Sequence, residues 1–248
     1  MNENNKIKIG ILSTSQIFTD DNPYNDIYKF YNVYTKRIYE CGAIPIGILL
    51  NDGKLEISSL EVCDAFLIGG GKKVEPYFFE TINYAIKNNK PLLGICLGMQ
   101  AIAIYSYLEM MLTKEKKELT IDNFVNLYKN LKEEEIKYLE PVEKHYNTKI
   151  TRNDYLENIH KVKINKDSQL YSIYQKDEID VLSMHNYAVN KYSDMVLVNC
   201  DSDNVIEGIE YKDKDLFILG VQWHPEPDEN NNIIFSSLIE NAKKRKKK

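Results

Sequence analysis

The chain has 248 residues, of which 43% are hydrophobic, and its formal net charge is −5 at pH 7. This size suits one large core or one core with an added lobe, and the charge excludes the overall basic field of a nucleic-acid-binding protein. The four cysteines are widely spaced and form no CxxC pair, which argues against a disulfide framework and against a zinc site.

The opening residues are polar and lack the apolar core of a signal peptide. No apolar run approaches the length of a membrane span. We therefore expect a cytoplasmic protein with no membrane or nucleic-acid partner. The sequence shows no internal repeat and no linker-like segment, so we expect one domain over residues 1–248.

In the first hundred residues, short apolar runs alternate with segments of helical periodicity. Strands are predicted over residues 6–12, 43–50, 64–68 and 91–95. One helix is predicted from Pro23 to Cys41, with ring and aliphatic residues at helical spacing at 27, 31, 34 and 38, and another over 76–87. This alternation predicts an α/β fold with a mostly parallel central sheet flanked by helices.

The fourth predicted strand leads into Gly94-Ile-Cys96-Leu-Gly98, and a helical pattern follows at once. A nucleophile on a sharp strand-to-helix turn needs small neighbours, and Gly94 and Gly98 meet that need. The positive end of the following helix favours a thiolate. We interpret Cys96 as a candidate nucleophile; the alternative is a buried packing cysteine.

Three glycines, at 69–71, follow the third predicted strand. In open α/β sheets, ligands bind beyond the carboxyl ends of the strands, so this loop and the Cys96 turn are expected to meet there. The backbone N–H groups of such a loop can stabilise an oxyanion, although a plain flexible turn has the same composition.

Residues 108–140 differ in character, since they are rich in Lys and Glu and carry apolar residues at helical spacing. We predict a mostly helical excursion, near the mouth of the site. If it emerges on the active-site side of the preceding helix, it would form a pocket wall. If it emerges at the far end of that helix, it would form a partner surface.

The second half of the chain contains further extended segments. Strands are predicted over 160–164, 180–189, 195–199, 205–211 and 216–223, followed by a helix over 233–242. The basic tail, 243–248, is predicted to be a solvated and frayed end.

His224 and Glu226 follow the last strong strand, with Pro225 between them. Side chains two apart on an extended segment can point the same way. A cysteine nucleophile needs a base that later protonates the leaving amine, and that base needs an orienting acceptor. A lone histidine is more often structural, but this position at a strand end favours catalysis.

These segments together resemble the class I glutamine amidotransferase superfamily, whose fold is flavodoxin-like. The motifs that carry the resemblance are Gly94-Ile-Cys96-Leu-Gly98-Met-Gln100 and Gly220-Val-Gln-Trp-His224-Pro225-Glu226. Within the superfamily the chain is most similar to the γ-glutamyl hydrolases of peptidase family C26, including γ-glutamyl-γ-aminobutyrate hydrolase. The glycine loop and the segments 160–164 and 181–189 also resemble that family.

The resemblance implies a Cys–His–Glu triad in which Cys96 is the nucleophile, His224 the acid and base, and Glu226 its orienter. The implied oxyanion-hole donors are backbone N–H groups, those of Leu97 and of Gly70 or Gly71. The side chains implied to bind the α-amino and α-carboxylate groups of the substrate are Gln100, Ser183 and His185. No metal or organic cofactor is expected, the partner is a small γ-glutamyl substrate, and a homodimer is left open.

Three features depart from the family pattern. Lys72 or Lys73 replaces an Asp after the glycine loop, and Asn186 and Tyr187 stand where His and Gln are typical. The segment 105–111 lacks a Gly-Gly-x-Leu-x-Gln-Asp turn. All three lie around the expected pocket, so they leave the substrate less certain than the chemistry.

Three functions therefore remain open from the sequence. The first is a free-standing γ-glutamyl hydrolase that releases glutamate and an amine through a γ-glutamyl thioester. The second is a glutaminase subunit that supplies ammonia to a separate synthetase. The third is a catalytically silent binding protein on the same fold, against which the intact triad argues.

Overall fold

The computed structural model describes residues 6–17, 22, 26–131, 138–142 and 158–247. Its strands are β1 (Lys8–Leu12), β2 (Ser15–Ile17), β3 (Ile27–Lys29), β4 (Ile44–Ile48), β5 (Leu50–Asn51), β6 (Lys54–Leu55), β7 (Ala65–Ile68), β8 (Leu92–Ile95), β9 (Leu139–Pro141), β10 (Ile159–Ile164), β11 (Glu178–Leu182), β12 (Tyr187–Val189), β13 (Val196–Ser202), β14 (Val205–Tyr211) and β15 (Ile218–Val221).

Its helices are α1 (Asn32–Glu40), α2 (Ser58–Glu61), α3 (Pro76–Lys87), α4 (Leu97–Lys114), α5 (Ile121–Asn130), α6 (Gln169–Tyr174) and α7 (Asn232–Lys246), with a short 3₁₀ turn at Glu229–Asn231. Among the described residues, none of these helices is long and apolar enough to cross a bilayer.

Nine strands form the central sheet in the order β11-β10-β13-β14-β15-β8-β7-β1-β4. The strands from β15 to β4 pair in parallel, and those from β11 to β15 pair antiparallel. Every residue of β7 and β8 is buried, as expected for parallel strands that helices cover on both faces. The predicted α/β fold with a helix-flanked central sheet is confirmed.

Two apolar clusters lie on opposite faces of the sheet. One contains the inward side chains of α3, α4 and α5, and the other contains those of α1, α6 and α7. The buried aliphatic residues of the strands divide between the two clusters, because successive strand side chains point to opposite faces. The core therefore holds β7, β8 and β15 rigidly between two helical layers.

The helix predicted to begin at Pro23 begins instead at Asn32, and Ile27 belongs to β3. Pro23 itself lies outside the described residues. The hairpin of β2 and β3 takes precedence over the helical spacing, and the Ser13 hydroxyl donates to the carbonyl oxygens of Ser15 and Lys29 at its open end. Local periodicity was outweighed by these strand hydrogen bonds.

The segment 108–140, predicted as one helical excursion, is not a single unit in the structure. Residues 108–114 continue α4, and α5 is a separate helix whose apolar side packs on α3 and α4. The Phe124 ring stacks on Tyr105 with centroids 4.5 Å apart, and Tyr128 packs edge-on against Phe79. The chain leaves α4 at the end far from Cys96, and residues 132–137 lie outside the described part.

The basic tail is not frayed through most of its length, since α7 continues to Lys246. The Arg245 guanidinium donates to Asn89 Oδ1 at 2.8 Å and to the Asp215 carbonyl oxygen at 2.6 Å. Lys246 pairs with Asp64 at 3.1 Å. These contacts, together with the favourable placement of cations at a helix C-terminus, extend the helix beyond its last apolar residue.

Candidate active site

The site lies at the carboxyl ends of three adjacent parallel strands, β7, β8 and β15. Their register places Ile68 opposite Gly94 and Val221 opposite Ile95. The residues that follow these strands therefore emerge side by side. They are the glycine loop after β7, Cys96 after β8 and the His224 segment after β15. The sheet thus brings His224 beside two segments that lie more than a hundred residues earlier in the chain.

Cys96 occupies a sharp turn between β8 and α4. Its φ of 52° and ψ of −103° lie where residues other than glycine are rarely found, and such strain is typical of a nucleophile elbow. A Cβ built on Gly98 would lie 2.1 Å from the Ile68 carbonyl oxygen, so only glycine permits this approach of α4 to β7. The thiol sits at the N-terminus of an 18-residue helix and is almost completely buried.

His224 and Glu226 form a tight pair beside Cys96. The Nδ1 atom of His224 lies 2.6 Å from Oε1 of Glu226. Cys96 is close enough to act on the pKa of the same imidazole. Burial lowers the pKa of His224, but the Glu226 carboxylate and Cys96 raise it more, so the net direction is upward. The backbone N–H of His224 donates to the Leu182 carbonyl oxygen at 2.9 Å, which anchors the segment after β15 to β11.

The glycine loop lies directly against this pair. A Cβ built on Gly70 would be 2.7 Å from Cε1 of His224, and one built on Gly71 would be 2.7 Å from Cδ2 of Leu97. Any larger residue would displace the imidazole or the start of α4. The loop and the elbow therefore meet, as their positions at strand ends predict.

The three implied oxyanion-hole donors are not equivalent. The Gly70 N–H donates to the Tyr34 hydroxyl at 2.8 Å, so it is not free to bind an oxyanion. Of the two implied alternatives, Gly70 and Gly71, the structure therefore excludes Gly70. Within the described part of the chain, the N–H groups of Gly71 and Leu97 donate no hydrogen bond. Gly71 is exposed and Leu97 is buried at the start of α4, so these two N–H groups remain the candidate oxyanion-hole donors.

Tyr34 belongs to the site although sequence analysis placed it only on a helix stripe. It is 4% exposed, and its ring lies against Gly69, where an added Cβ would be 2.5 Å from Cε2. Burial first, and then the negative charge of Glu226, raise the pKa of its phenol well above the usual value. No sequence signal marks this residue, because its partners come from other strand ends.

Two of the three residues implied to bind the substrate, Gln100 and His185, contact the same backbone oxygen. Gln100 Nε2 donates to the Tyr187 carbonyl oxygen at 3.2 Å, and His185 Nδ1 lies 3.0 Å from the same oxygen. Gln100 also donates to Gln222 at 3.2 Å. Ser183 is buried, and its backbone N–H donates to the Asn158 carbonyl oxygen at 2.9 Å. Gln100 and His185 thus tie the loop before β12 to α4.

The buried side chain of Glu207 lies next to His185 of this loop. Oε1 of Glu207 lies 3.3 Å from Nε2 of His185 and 3.3 Å from Nε2 of His160, and Glu207 is fully buried. Both ring nitrogens of His185 therefore face protein acceptors. Sequence analysis missed Glu207, and the only signal was an acidic residue in the strand predicted over 205–211.

The departures from the family pattern lie on the rim of the site. Lys72, Asn186 and the Tyr187 side chain are exposed, and Lys73 pairs with Glu75 at 3.1 Å. Among the described residues, none of them forms a hydrogen bond or an ion pair with His224 or Glu226. Among the described residues, no group of three or more His, Cys, Asp or Glu side chains could hold a metal ion.

Comparison with known proteins agrees with this geometry. The family model of peptidase C26 matches residues 77–226. Protein NtpR of Enterococcus hirae is 25% identical in an alignment 257 residues long that covers 94% of this chain and 96% of that protein. The CTP synthase of Thermotoga maritima is 31% identical in an alignment 194 residues long that covers 71% of this chain and 34% of the synthase.

Among solved structures, the glutaminase domain of Trypanosoma brucei CTPS with bound acivicin matches with a TM-score of 0.67 and 19% identity. The match covers 96% of this chain and 94% of that one. At this identity the likeness concerns the fold, which it supports over nearly the whole length.

Proposed function

Since the chain belongs to the peptidase C26 family, a hydrolase family of the glutamine amidotransferase type, we propose that it hydrolyses γ-glutamyl amide bonds and releases glutamate and an amine. The observation that carries the proposal is the position of Cys96 beside the hydrogen-bonded His224–Glu226 pair at the carboxyl edge of the sheet. The unoccupied N–H groups of Gly71 and Leu97 beside it support an acyl-transfer reaction in particular.

In the proposed reaction, His224 accepts the Cys96 proton and the thiolate attacks the γ-carbonyl carbon. The carbonyl electron pair moves to oxygen, where the N–H groups of Gly71 and Leu97 stabilise the negative charge, each contributing roughly 3 kcal/mol. When the tetrahedral intermediate collapses, the C–N bond breaks and His224 gives its proton to the leaving nitrogen. Water, deprotonated by the same imidazole, then hydrolyses the γ-glutamyl thioester.

Glu226 has a defined part in this scheme. As the acceptor at Nδ1, it holds Nε2 toward the thiol and stabilises the imidazolium that forms when His224 takes the proton. The raised pKa of His224 is the direction that a thiolate–imidazolium pair requires. None of the steps of this proposed reaction uses a metal ion.

A second candidate is a glutaminase that delivers ammonia to a separate synthetase. The match to Thermotoga maritima CTP synthase favours it, because the aligned part is 34% of that protein. The exposed rim formed by Lys72, Asn186 and Tyr187 also differs from the family pattern at the place where a leaving amine or a partner would lie. NtpR, by contrast, is matched over 96% of its own length, so this likeness is not to one part of a longer synthase.

One experiment separates these functions. The purified protein is incubated with glutamine and with a panel of γ-glutamyl amides that differ in the amine, and free glutamate is measured, with Cys96→Ala as the blank. A hydrolase releases glutamate alone and prefers a bulkier amine to ammonia. Cleavage of glutamine only, and only with a second protein present, would establish the glutaminase instead. No cleavage, with a Cys96 thiol inert to iodoacetamide, would favour a binding protein.

A further inference from the structure

We propose that Thr14 is a positioning residue of this site, whose hydroxyl fixes the direction of the Gly71 N–H by holding the carbonyl oxygen of the same peptide unit. The inference rests on the proposed function for its kinetic consequences, whereas the contacts that carry it involve no substrate. Thr14 follows β1, and no site motif of the sequence includes it.

The sheet brings Thr14 to the glycine loop. β1 pairs in parallel with β7, and the last residue pair in their register is Leu12 with Ile68. Thr14 and Gly70 each lie two residues beyond these strand ends, so the two segments emerge side by side. The Thr14 hydroxyl donates to the Gly70 carbonyl oxygen, and both groups are buried. This hydrogen bond is therefore shielded from water, where neither group has water as an alternative partner.

One peptide unit joins Gly70 to Gly71, so the Gly70 carbonyl and the Gly71 N–H turn together. The unit is planar and trans, since the described residues contain no cis peptide bond, and its C=O and N–H bonds point in opposite directions. Because the carbonyl is aimed at Thr14, the Gly71 N–H points away from Thr14. The hydroxyl thereby sets the direction of an N–H that the proposed reaction uses as an oxyanion donor.

Glycine at both ends of this peptide unit makes such a constraint necessary. Reversing the unit requires rotation of ψ at Gly70 and of φ at Gly71, and glycine tolerates both orientations. A side chain could not restrict these rotations, because a Cβ built on Gly71 would lie 2.5 Å from the Thr14 carbonyl oxygen and 2.7 Å from Cδ2 of Leu97. The packing thus requires glycine at this position, and the Thr14 hydroxyl selects one of the orientations that glycine permits.

The backbone that carries Thr14 is itself held in place. The preceding Ser13 is buried, its hydroxyl donates to two carbonyl oxygens of the β2–β3 hairpin, and its carbonyl oxygen accepts from the Tyr77 hydroxyl at 2.9 Å. The Gly70 N–H, which belongs to the preceding peptide unit of the loop, is bound separately by Tyr34 at 2.8 Å. Thr14 and Tyr34 therefore control two different peptide units, which an experiment can observe one at a time.

The first test removes the hydroxyl and keeps the shape of the side chain. Thr14→Val is compared with Thr14→Ser, which retains a hydroxyl. Thr81→Val is the matched control, since the buried Thr81 hydroxyl also donates to a backbone carbonyl oxygen, that of Tyr77 on α3 at 3.0 Å. The probes are γ-glutamyl-p-nitroanilide and glutamine.

We expect Thr14→Val to lower kcat and kcat/KM together by about 30-fold, with KM unchanged, because the Gly71 N–H acts in the transition state. This is less than the loss of an oxyanion donor costs, since the freed peptide unit still samples its productive orientation. Thr14→Ser and Thr81→Val should stay within about threefold of the wild-type protein. If Thr14→Val does not fold, Thr14→Ala takes its place in every measurement.

A second readout needs no substrate. The chain contains 11 glycines, and its only Gly–Gly peptide bonds are 69–70 and 70–71. In protein labelled with ¹³C at glycine carbonyls and ¹⁵N at glycine amides, an HNCO spectrum therefore contains one cross-peak for each of these two peptide units. Tyr34→Phe identifies the 69–70 peak, because the Gly70 N–H loses its acceptor. We expect Thr14→Val to shift the 70–71 peak and to leave the 69–70 peak in place.

These measurements decide the proposal. Unchanged kcat in Thr14→Val, an equal loss of activity in Thr14→Ser, or an unmoved 70–71 peak would each overturn it. Equal shifts of both peaks would also overturn it, since they would indicate a loosened loop rather than a reoriented peptide unit. If the wild-type protein cleaves neither probe, the proposed function fails, while the spectra still decide whether Thr14 directs the Gly71 N–H.

Discussion

The backbone N–H of Cys96 donates a 2.8 Å hydrogen bond to the carbonyl oxygen of Val221. This bond continues the pairing of β8 with β15 by one step, so the candidate nucleophile is attached directly to the strand that leads to His224. The backbone of Cys96 is therefore fixed relative to the strand that leads to His224. Substitutions at these two positions can be predicted against that fixed backbone.

Cys96→Ala is expected to abolish turnover and to leave the fold intact. The thiolate forms the acyl-enzyme bond in the proposed reaction, so kcat should fall by about 10⁴-fold or more. Glutamate release and circular dichroism check the two halves of the prediction. Cys41→Ala, at a half-buried cysteine remote from the site, is the control and should retain activity. Equal turnover by Cys96→Ala and the wild-type protein would exclude Cys96 as the nucleophile.

Glu226→Gln is expected to destabilise the protein more at pH 6 than at pH 9. The folded-state pKa of His224 is raised above its usual value of 6.5, so the charged pair contributes stability that is fully present below that value. This contribution is lost as the pH rises through the higher folded-state pKa. Loss of a hydrogen bond between charged groups costs about 2 kcal/mol.

Urea unfolding of both proteins at pH 6, 7.5 and 9 measures this difference. The free energy of unfolding should differ most at pH 6 and least at pH 9. A difference that is equal at all three pH values, or that grows with pH, would show that Glu226 does not raise the pKa of His224.

Gly98→Ala is expected to cost stability because α4 starts in contact with β7. The added Cβ would lie 2.1 Å from the Ile68 carbonyl oxygen, so helix and strand must separate. Overpacking of this kind costs about 1–3 kcal/mol. Gly47→Ala is the control, since its added Cβ would meet only the Phe30 ring at 3.5 Å. Thermal unfolding measures both, and equal melting temperatures would contradict the close approach.

Glu207→Gln is expected to destabilise the fold by about 2 kcal/mol, because one buried carboxylate oxygen lies 3.3 Å from Nε2 of both His160 and His185 and an amide in its place disrupts these contacts. The matched control is Asp180→Asn on β11, whose exposed carboxylate lies 3.9 Å from Lys161 and should contribute less than about 1 kcal/mol. Chemical unfolding near pH 7 compares the two variants. A Glu207→Gln protein as stable as Asp180→Asn would mean that the cluster does not support the loop.

Much of the fold was predictable because buried parallel strands have nearly continuous apolar sequences. The apolar runs that became β1, β4, β7 and β8, and the helix α3, were recognised from periodicity, Pro and Gly alone. The start of α1 was not, since the β2–β3 hairpin depends on pairing that periodicity does not show. The length of α7 depended in the same way on distant partners of Arg245 and Lys246.

For the site, the sequence by itself determined the groups whose chemistry needs a local pattern. Cys96 stands between glycines that a strained turn requires, and His224 and Glu226 are two apart on one extended segment. The tertiary structure alone decided which partners these groups have. Tyr34 and Glu207 reach the site from other elements, and the Gly70 N–H is bound by Tyr34 rather than left for substrate. Such contacts depend on the order of strands in the sheet, because residues far apart in the chain meet only where their strand ends are neighbours.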